Sequence, residues 1–194
     1  MQLGELADQI IVGRAPRGPD SAIDIDAPVL NLRDVGRVLP PITELDRVGV
    51  VASDIDRSGL APGDVIITAR GANVRAAVAG EDYQGVMLGA NLIAIRVRKI
   101  VPPYLLAAFL RHPMTVATLM ADFAGATTAG FTVESLKRLV LEPRSSQQNA
   151  TLDAFVRQVD VYAMEQAEAL RLYQEAAEEA AFQHLLPYGP RSPR

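Results

Sequence analysis

Two guanidinium groups and one amide crowd a short turn, Arg70-Gly71-Ala72-Asn73-Val74-Arg75, that separates two apolar runs. An arginine fork matches O6 and N7 of guanine, an asparagine amide matches N6 and N7 of adenine, and either can hold a phosphate oxygen. The same composition also makes an ordinary solvated hairpin tip. Gly13-Arg14-Ala15-Pro16-Arg17-Gly18 is a second basic, glycine-flanked loop with the same two readings. Arg96, Arg98 and Lys99 form a third cluster, but Arg96 and Arg98 share one face of an extended segment and equally suit the polar side of a half-buried sheet. Lys137 and Arg138, beside Arg144, suit either a phosphate or an acidic helix.

Catalytic chemistry is poorly supplied. There is no cysteine, which removes disulfides, thiolate nucleophiles and thiolate zinc sites, and His112 and His184 are the only imidazoles. A hydrolase triad or a histidine metal site is therefore not expected. Val101-Pro102-Pro103-Tyr104 lies near the Asn-Pro-Pro-Tyr of amino-methyltransferases, yet valine cannot hold a target amino group. The Gly85–Gly89 spacing lacks the third glycine and following helix of a dinucleotide fingerprint, and there is no Walker sequence. Asp24 with Asp26, and Asp54 with Asp56, could bind a cation, but such spacing in polar loops more often marks solvated turns. Tyr83, Tyr104 and Tyr173 read as packing or interface residues, because five Phe and five Tyr spread along the chain do not make a stacking platform. No cofactor is expected.

The elements that must position these residues fall into two zones. Of 194 residues 49% are apolar and 22% charged, enough for a core, and the apolar run Tyr104 to Leu110 is too short to span a bilayer. The start, Met1-Gln2-Leu3-Gly4-Glu5, lacks a secretory pattern, so a cytoplasmic location without membrane partners is expected. Residues 1–144 carry 15 Lys+Arg against 16 Asp+Glu, a net of −1, and 145–186 carry 2 against 7, a net of −5. The formal −4 thus belongs mostly to the C-terminal segment, and the last eight residues add +2. Strands are expected at Gln9–Val12, Val29–Leu32, Val48–Val51, Val65–Thr68, Val74–Ala79 and Leu92–Val97. Helices are expected at Pro103–Arg111 and Met114–Phe123, and a third is started by Thr132 with Glu134 in its first turn. Strands first and helices later indicate α+β, a small mixed domain at 1–145.

From Gln147 to Leu186 there is neither Gly nor Pro, and good helix formers dominate. One helix over 146–186 would reach roughly 60 Å, farther than its own domain extends. Steps of four and three pick out Leu152, Val156, Val159, Ala163, Gln166, Leu170, Tyr173, Ala177, Ala180 and His184 as a heptad seam for a second helix. The competing expectation is a helix laid back across its own domain. Pro187, Gly189, Pro190 and Pro193 end the helix, leaving 187–194 as a flexible tail.

Several phrases, in order, resemble the specificity subunit of type I restriction-modification systems. Leu60-Ala61-Pro62-Gly63-Asp64-Val65-Ile66-Ile67-Thr68-Ala69-Arg70-Gly71 is similar to that family's L-x-P-G-D segment, and Gly89-Ala90-Asn91-Leu92-Ile93-Ala94-Ile95-Arg96 to the strand after it. Pro103-Tyr104-Leu105-Leu106 with Phe109-Leu110 resembles its P-x-Y-L…F-L helix. Gly130-Phe131-Thr132 and Leu136 lead to Leu139-Val140-Leu141-Glu142-Pro143 and Gln147, similar to the approach to its long helix, although the second proline expected near Ser145 is missing. Leu3-Gly4-Glu5-Leu6 and Gly13-Arg14-Ala15-Pro16 loosely fit its opening.

In that family two target recognition domains, each followed by a long helix, are spaced by the antiparallel pairing of those helices. The resemblance implies a half-size form with one of each: a non-catalytic subunit that reads double-stranded DNA and dimerises through its helix. By two-fold symmetry it would direct adenine methylation at a bipartite palindromic target. Implied partners are DNA methyltransferase (modification) subunits, a second copy of this chain and, where one exists, a restriction/translocase subunit. The DNA-contacting candidates are Arg14, Arg17, Arg70, Asn73, Arg75, Arg96, Arg98 and Lys99; those for the dimer interface are Leu152, Val156, Val159, Ala163, Leu170, Tyr173 and Ala177. The alternative is a coiled-coil interaction adaptor that assembles a defence or regulatory complex without reading DNA.

Overall fold

The structure is a computed structural model describing residues 1–14, 25–71, 73–98, 101–121, 130–142 and 146–185. Four strands, β1 (Ala7–Val12), β4 (Val65–Thr68), β5 (Ala76–Val78) and β7 (Leu92–Val97), form an antiparallel sheet in the order β1-β7-β4-β5. A smaller sheet holds β2 (Ile25–Leu30) between β3 (Asp46–Val50), antiparallel to it, and β6 (Met87–Leu88), parallel to it. The helices are α1 (Leu3–Leu6), α2 (Ala52–Ser58), α3 (Pro103–Arg111), α4 (Pro113–Ala121), α5 (Val133–Lys137) and α6 (Ser146–Leu185). The fold is α+β with a long C-terminal helix, as the sequence indicates. Among the described residues no helix is long and apolar enough to cross a membrane.

The central sheet is buried on both faces, which is why β4 reads as an unbroken apolar run ending in a threonine. Side chains alternate along a strand, so Val65 and Ile67 of β4 and Ile93 and Ile95 of β7 meet Leu106, Leu110, Leu119 and Leu136 of the helical layer. Ile66, Leu92 and Ala94 point the other way, into a second core with Leu30, Leu39, Leu60 and Leu88 under the small sheet. The chain start is tied into the helical side: Leu3 N donates to Leu139 O (2.8 Å) and Leu141 N to Met1 O (2.9 Å).

Three elements differ from expectation for local reasons. Residues 52–58 form α2, where Arg57 Nη2 pairs with Asp54 Oδ1 at 2.6 Å, so Asp54 belongs to a helix rather than a turn. The expected strand to Leu32 stops at Leu30, because Asn31 N donates to Asp34 Oδ2 (2.7 Å) and closes a short 3-10 turn over Leu32–Asp34. Only Ala76–Val78 of the run Val74–Ala79 pairs as strand, because Arg75 N turns to Thr68 Oγ1 at 2.9 Å. The expected Thr132 start holds: its side chain accepts from Ser135 N and opens α5. Phe123, Asp24, Arg144 and the expected tail at 187–194 lie outside the described residues.

Candidate nucleic-acid interface

The register places the basic candidates at opposite ends of the central sheet. Val12 pairs with Ile93 and Thr68 with Leu92, so β1 and β4 both finish where β7 begins. Arg14 and Arg70 each stand two residues beyond those ends. Their strands are separated by β7, which puts the two departures about 10 Å apart at the usual inter-strand spacing. Arg96 and Arg98 sit at the far end of β7, beside Asp8 and Gln9 of β1. Arg17 and Lys99 lie outside the described residues.

Backbone chemistry fixes the two projecting arginines. Arg14 follows a glycine whose added Cβ would fall 1.9 Å from the Gly89 carbonyl oxygen, so the chain can leave β1 there only as glycine. Arg14 N then donates to Leu88 O at 3.1 Å. Arg70 bridges to Gly130, and Gly71 turns the chain at φ +104° with open space around it. Thr68 closes the turn, its N donating to Arg75 O at 2.9 Å. Asn73 is exposed on this turn, while Arg75 is half-buried with its Nη2 donating to Leu32 O at 2.7 Å.

Arginine chemistry now separates. Arg96 is bidentate on Asp64, Nε to Oδ1 at 2.9 Å and Nη2 to Oδ2 at 2.8 Å, and donates to Gln9 Oε1 at 2.9 Å. Asp64 is 0% exposed and also accepts from Ala61 N at 2.8 Å. That hydrogen bond to Asp64 raises the Arg96 guanidinium further above its already high range, against the opposing effect of burial. Arg98 pairs with Asp8, Arg47 with Asp26, Lys137 with Glu134, and Arg33 with Asp34 and Asp46. Arg157 lies over the Tyr104 ring, 5.6 Å from its centroid. Arg14 and Arg70 differ from all of these: both are exposed, and their guanidinium groups have neither a carboxylate, a carbonyl nor a ring partner among the described residues.

The long helix is both docked and free. Asn149, Asp153, Val156, Asp160 and Ala163 are its buried or half-buried positions in the first half, a stripe in steps of four and three that faces the head. Asp153 Oδ1 accepts from Leu105 N at 2.9 Å and so caps α3, whose own N-cap, Pro102, gives no side-chain bond. Asp160 is 1% exposed, with Oδ2 accepting from Arg111 Nη2 at 2.7 Å and Oδ1 from Arg37 Nη1 at 3.2 Å. Two of the expected seam residues, Val156 and Ala163, therefore border the head. Leu152, Val159, Leu170 and Tyr173 are 42–75% exposed, as are Phe155 and Tyr162, which the seam passed over; Ala177 is also exposed. At 100° per residue this apolar stripe is centred about 110° around the helix from Asp160.

Asp153 and Asp160 were not expected as docking residues, since aspartate on a long helix reads as a solvated face. Their shared register with Val156 and Ala163 is the signal that was present. Tyr83 is buried as expected, its hydroxyl donating to Pro40 O; burial first, then the nearby Asp82, Asp34 and Glu44 carboxylates, push its phenol above the ordinary range.

No protein-family model and no curated protein sequence matches the chain. Solved structures do. A chain from a structure describing complex assembly and conformational transition of the type I R-M system is 22% identical, with a TM-score of 0.58 over 95% of this chain and 42% of that one. The HsdS subunit from Thermoanaerobacter tengcongensis is 20% identical, with a TM-score of 0.52 over 90% of this chain and 39% of its own. The type I restriction-modification S subunit from M. genitalium is 14% identical, with a TM-score of 0.50 over 91% and 43%. The chain spans about two-fifths of the length of the proteins it matches. Along nearly its whole length, from the paired sheets to the long helix, it has the fold of type I restriction-modification S subunits.

Proposed function

We propose that this chain is the DNA-recognition subunit of a type I restriction-modification system. Its head reads one half of a bipartite target, and its helix pairs with the helix of a second copy. Modification subunits held by that assembly methylate adenine in the palindromic target, and this chain itself performs no chemistry. The observation that carries the reading is the pair Arg14 and Arg70, cations without a carboxylate partner among the described residues, side by side at one end of a rigid sheet. Asn73 adds an exposed amide at the same end, and Arg75 stiffens the turn through Leu32. Guanidinium groups held this way suit phosphate oxygens and base edges. In this reading Arg96, bidentate on the buried Asp64, is held by the fold, while Arg98, whose pair with Asp8 is exposed on both sides, keeps its candidacy for phosphate. The exposed stripe of α6 that includes Leu152, Phe155, Val159 and Leu170 supports helix pairing, because apolar side chains arranged at heptad spacing are stabilised by burial against a like helix.

The test is the salt dependence of duplex binding by the full chain, with Arg14→Ala and Arg70→Ala as variants. Each variant weakens binding and lowers the slope of log K against log salt by about 1, with melting temperature unchanged. Unchanged slopes in both, with a protein partner lost instead, would favour the adaptor reading.

A further inference from the structure

The most enclosed charged group among the described residues of α6 is Asp160, and its partners lie off the helix, on the head. Asp160 accepts from Arg111 and from Arg37, and Arg111 Nη1 also donates to Ala76 O at 2.9 Å. Ala76 opens β5 directly after Arg75, and Arg75 in turn holds Leu32 O, on the segment that leads to Arg37. One carboxylate thus ties α6, through Arg111, to the start of β5 just after the turn carrying Arg70 and Asn73 and, through Arg37, to the segment whose Leu32 holds Arg75. Asp160 and Arg111 are only 2% and 11% exposed at their side chains, so separating them would strand charge away from water. Arg37, 60% exposed, closes the triad from the solvent side.

We propose that Asp160 is a positioning residue that sets the angle between the recognition head and the long helix, and thereby which spacing between half-sites the assembly accepts. The spacing clause rests on the DNA-reading function proposed above; the angular clause stands without it. A 10° tilt at Asp160 moves the far end of α6, roughly 38 Å away, by about 6 to 7 Å. That displacement is close to two base-pair steps of about 3.4 Å.

The measurement is the distance distribution between spin labels on the full chain, whose sequence contains no native cysteine. Met114→Cys, 73% exposed on α4, and Glu178→Cys, exposed on α6, carry the labels, and the labelled chain is diluted with unlabelled chain so that only distances within one molecule are read. Asp160→Asn is expected to widen the distribution at least twofold. Arg111→Lys, which keeps the charge but loses the second donation to Ala76 O, is expected to widen it less. An ion pair that merely stabilised the fold would lower the melting temperature and leave the width alone. Should Asp160→Asn not fold, Arg37→Met removes only the exposed arm and is read the same way. An unchanged width in the folded variants overturns the proposal. On duplexes carrying the mapped target, Asp160→Asn is expected to reduce roughly tenfold discrimination between spacers one base pair apart to about twofold. Widened distances with no duplex binding by the wild type would contradict the DNA-reading function and leave the angular role standing.

Discussion

A guanidinium group in this chain does what its nearest carboxylate leaves it free to do. Arg96 meets Asp64, which is 0% exposed, and Arg96→Ala would leave that acid buried without its ion-pair partner. The expected loss is about 2–4 kcal/mol, below the range for a fully enclosed pair because Arg96 itself is partly solvated, and it is read by urea denaturation. Arg70→Ala should change stability by less than about 0.5 kcal/mol, because Arg70 is exposed, while costing about 1–3 kcal/mol of binding wherever it reads a base. A second contrast lies at Tyr83, whose phenol burial holds above its ordinary 10.0. A folded-state value above the unfolded one means that stability is intact below pH 10 and falls as pH rises beyond it. Tyr83→Phe loses the bond to Pro40 O, about 1 kcal/mol at neutral pH, and flattens the fall above pH 10. The turn bearing Arg70 was legible because glycine, asparagine and arginine between two apolar runs signal a solvated tip. The fate of Arg96 was not, because Asp64 and Gln9 come to it from distant parts of the chain.

Helix α6 shows which features a linear pattern can carry. Its length was readable from the absence of glycine and proline, and the observed Ser146–Leu185 ends within one residue of the expected limits. Its docking face was not, because the stripe against the head includes Asn149, Asp153 and Asp160, and apolar periodicity is blind to polar contacts. Asp153→Ala should remove the cap on α3 and cost about 1 kcal/mol, seen as a lower melting temperature with the fold unchanged. On the exposed side, Val159→Glu or Leu170→Glu places a charge in the proposed helix pair and should yield monomers by light scattering at micromolar concentration. On the exposed stripe the first half of the helix carries Leu152, Phe155, Val159 and Tyr162, and the second half Leu170 and Tyr173 followed by the small Ala177 and Ala180. An antiparallel pair sets the bulky start of one stripe against the small end of the other. Mixing chains carrying Phe155→Cys with chains carrying Ala180→Cys should therefore give mixed disulfides, whereas a parallel pair holds those positions roughly 37 Å apart and gives only like-with-like bonds.

Across the whole molecule, charge is unevenly spread, the head region being near neutral while the helix segment carries a net of −5. Under the proposed function, a head with two exposed cations lacking a carboxylate partner among its described residues is expected to bind a duplex weakly and salt-dependently by itself, and to bind more tightly once modification subunits add phosphate contacts. The α+β class and the order of elements were legible because each strand of the central sheet is a short apolar run between turn residues. The small sheet was less so, since β6 is a two-residue strand held parallel to β2 with no periodicity of its own. Long-read methylome mapping of the host, with this gene intact, deleted or carrying Arg14→Ala together with Arg70→Ala, tests the central claim most directly. The expected result is an adenine-methylated motif of two inverted half-sites around a fixed gap, lost on deletion and lost or relaxed in the double variant; an identical methylome in all three strains would contradict it.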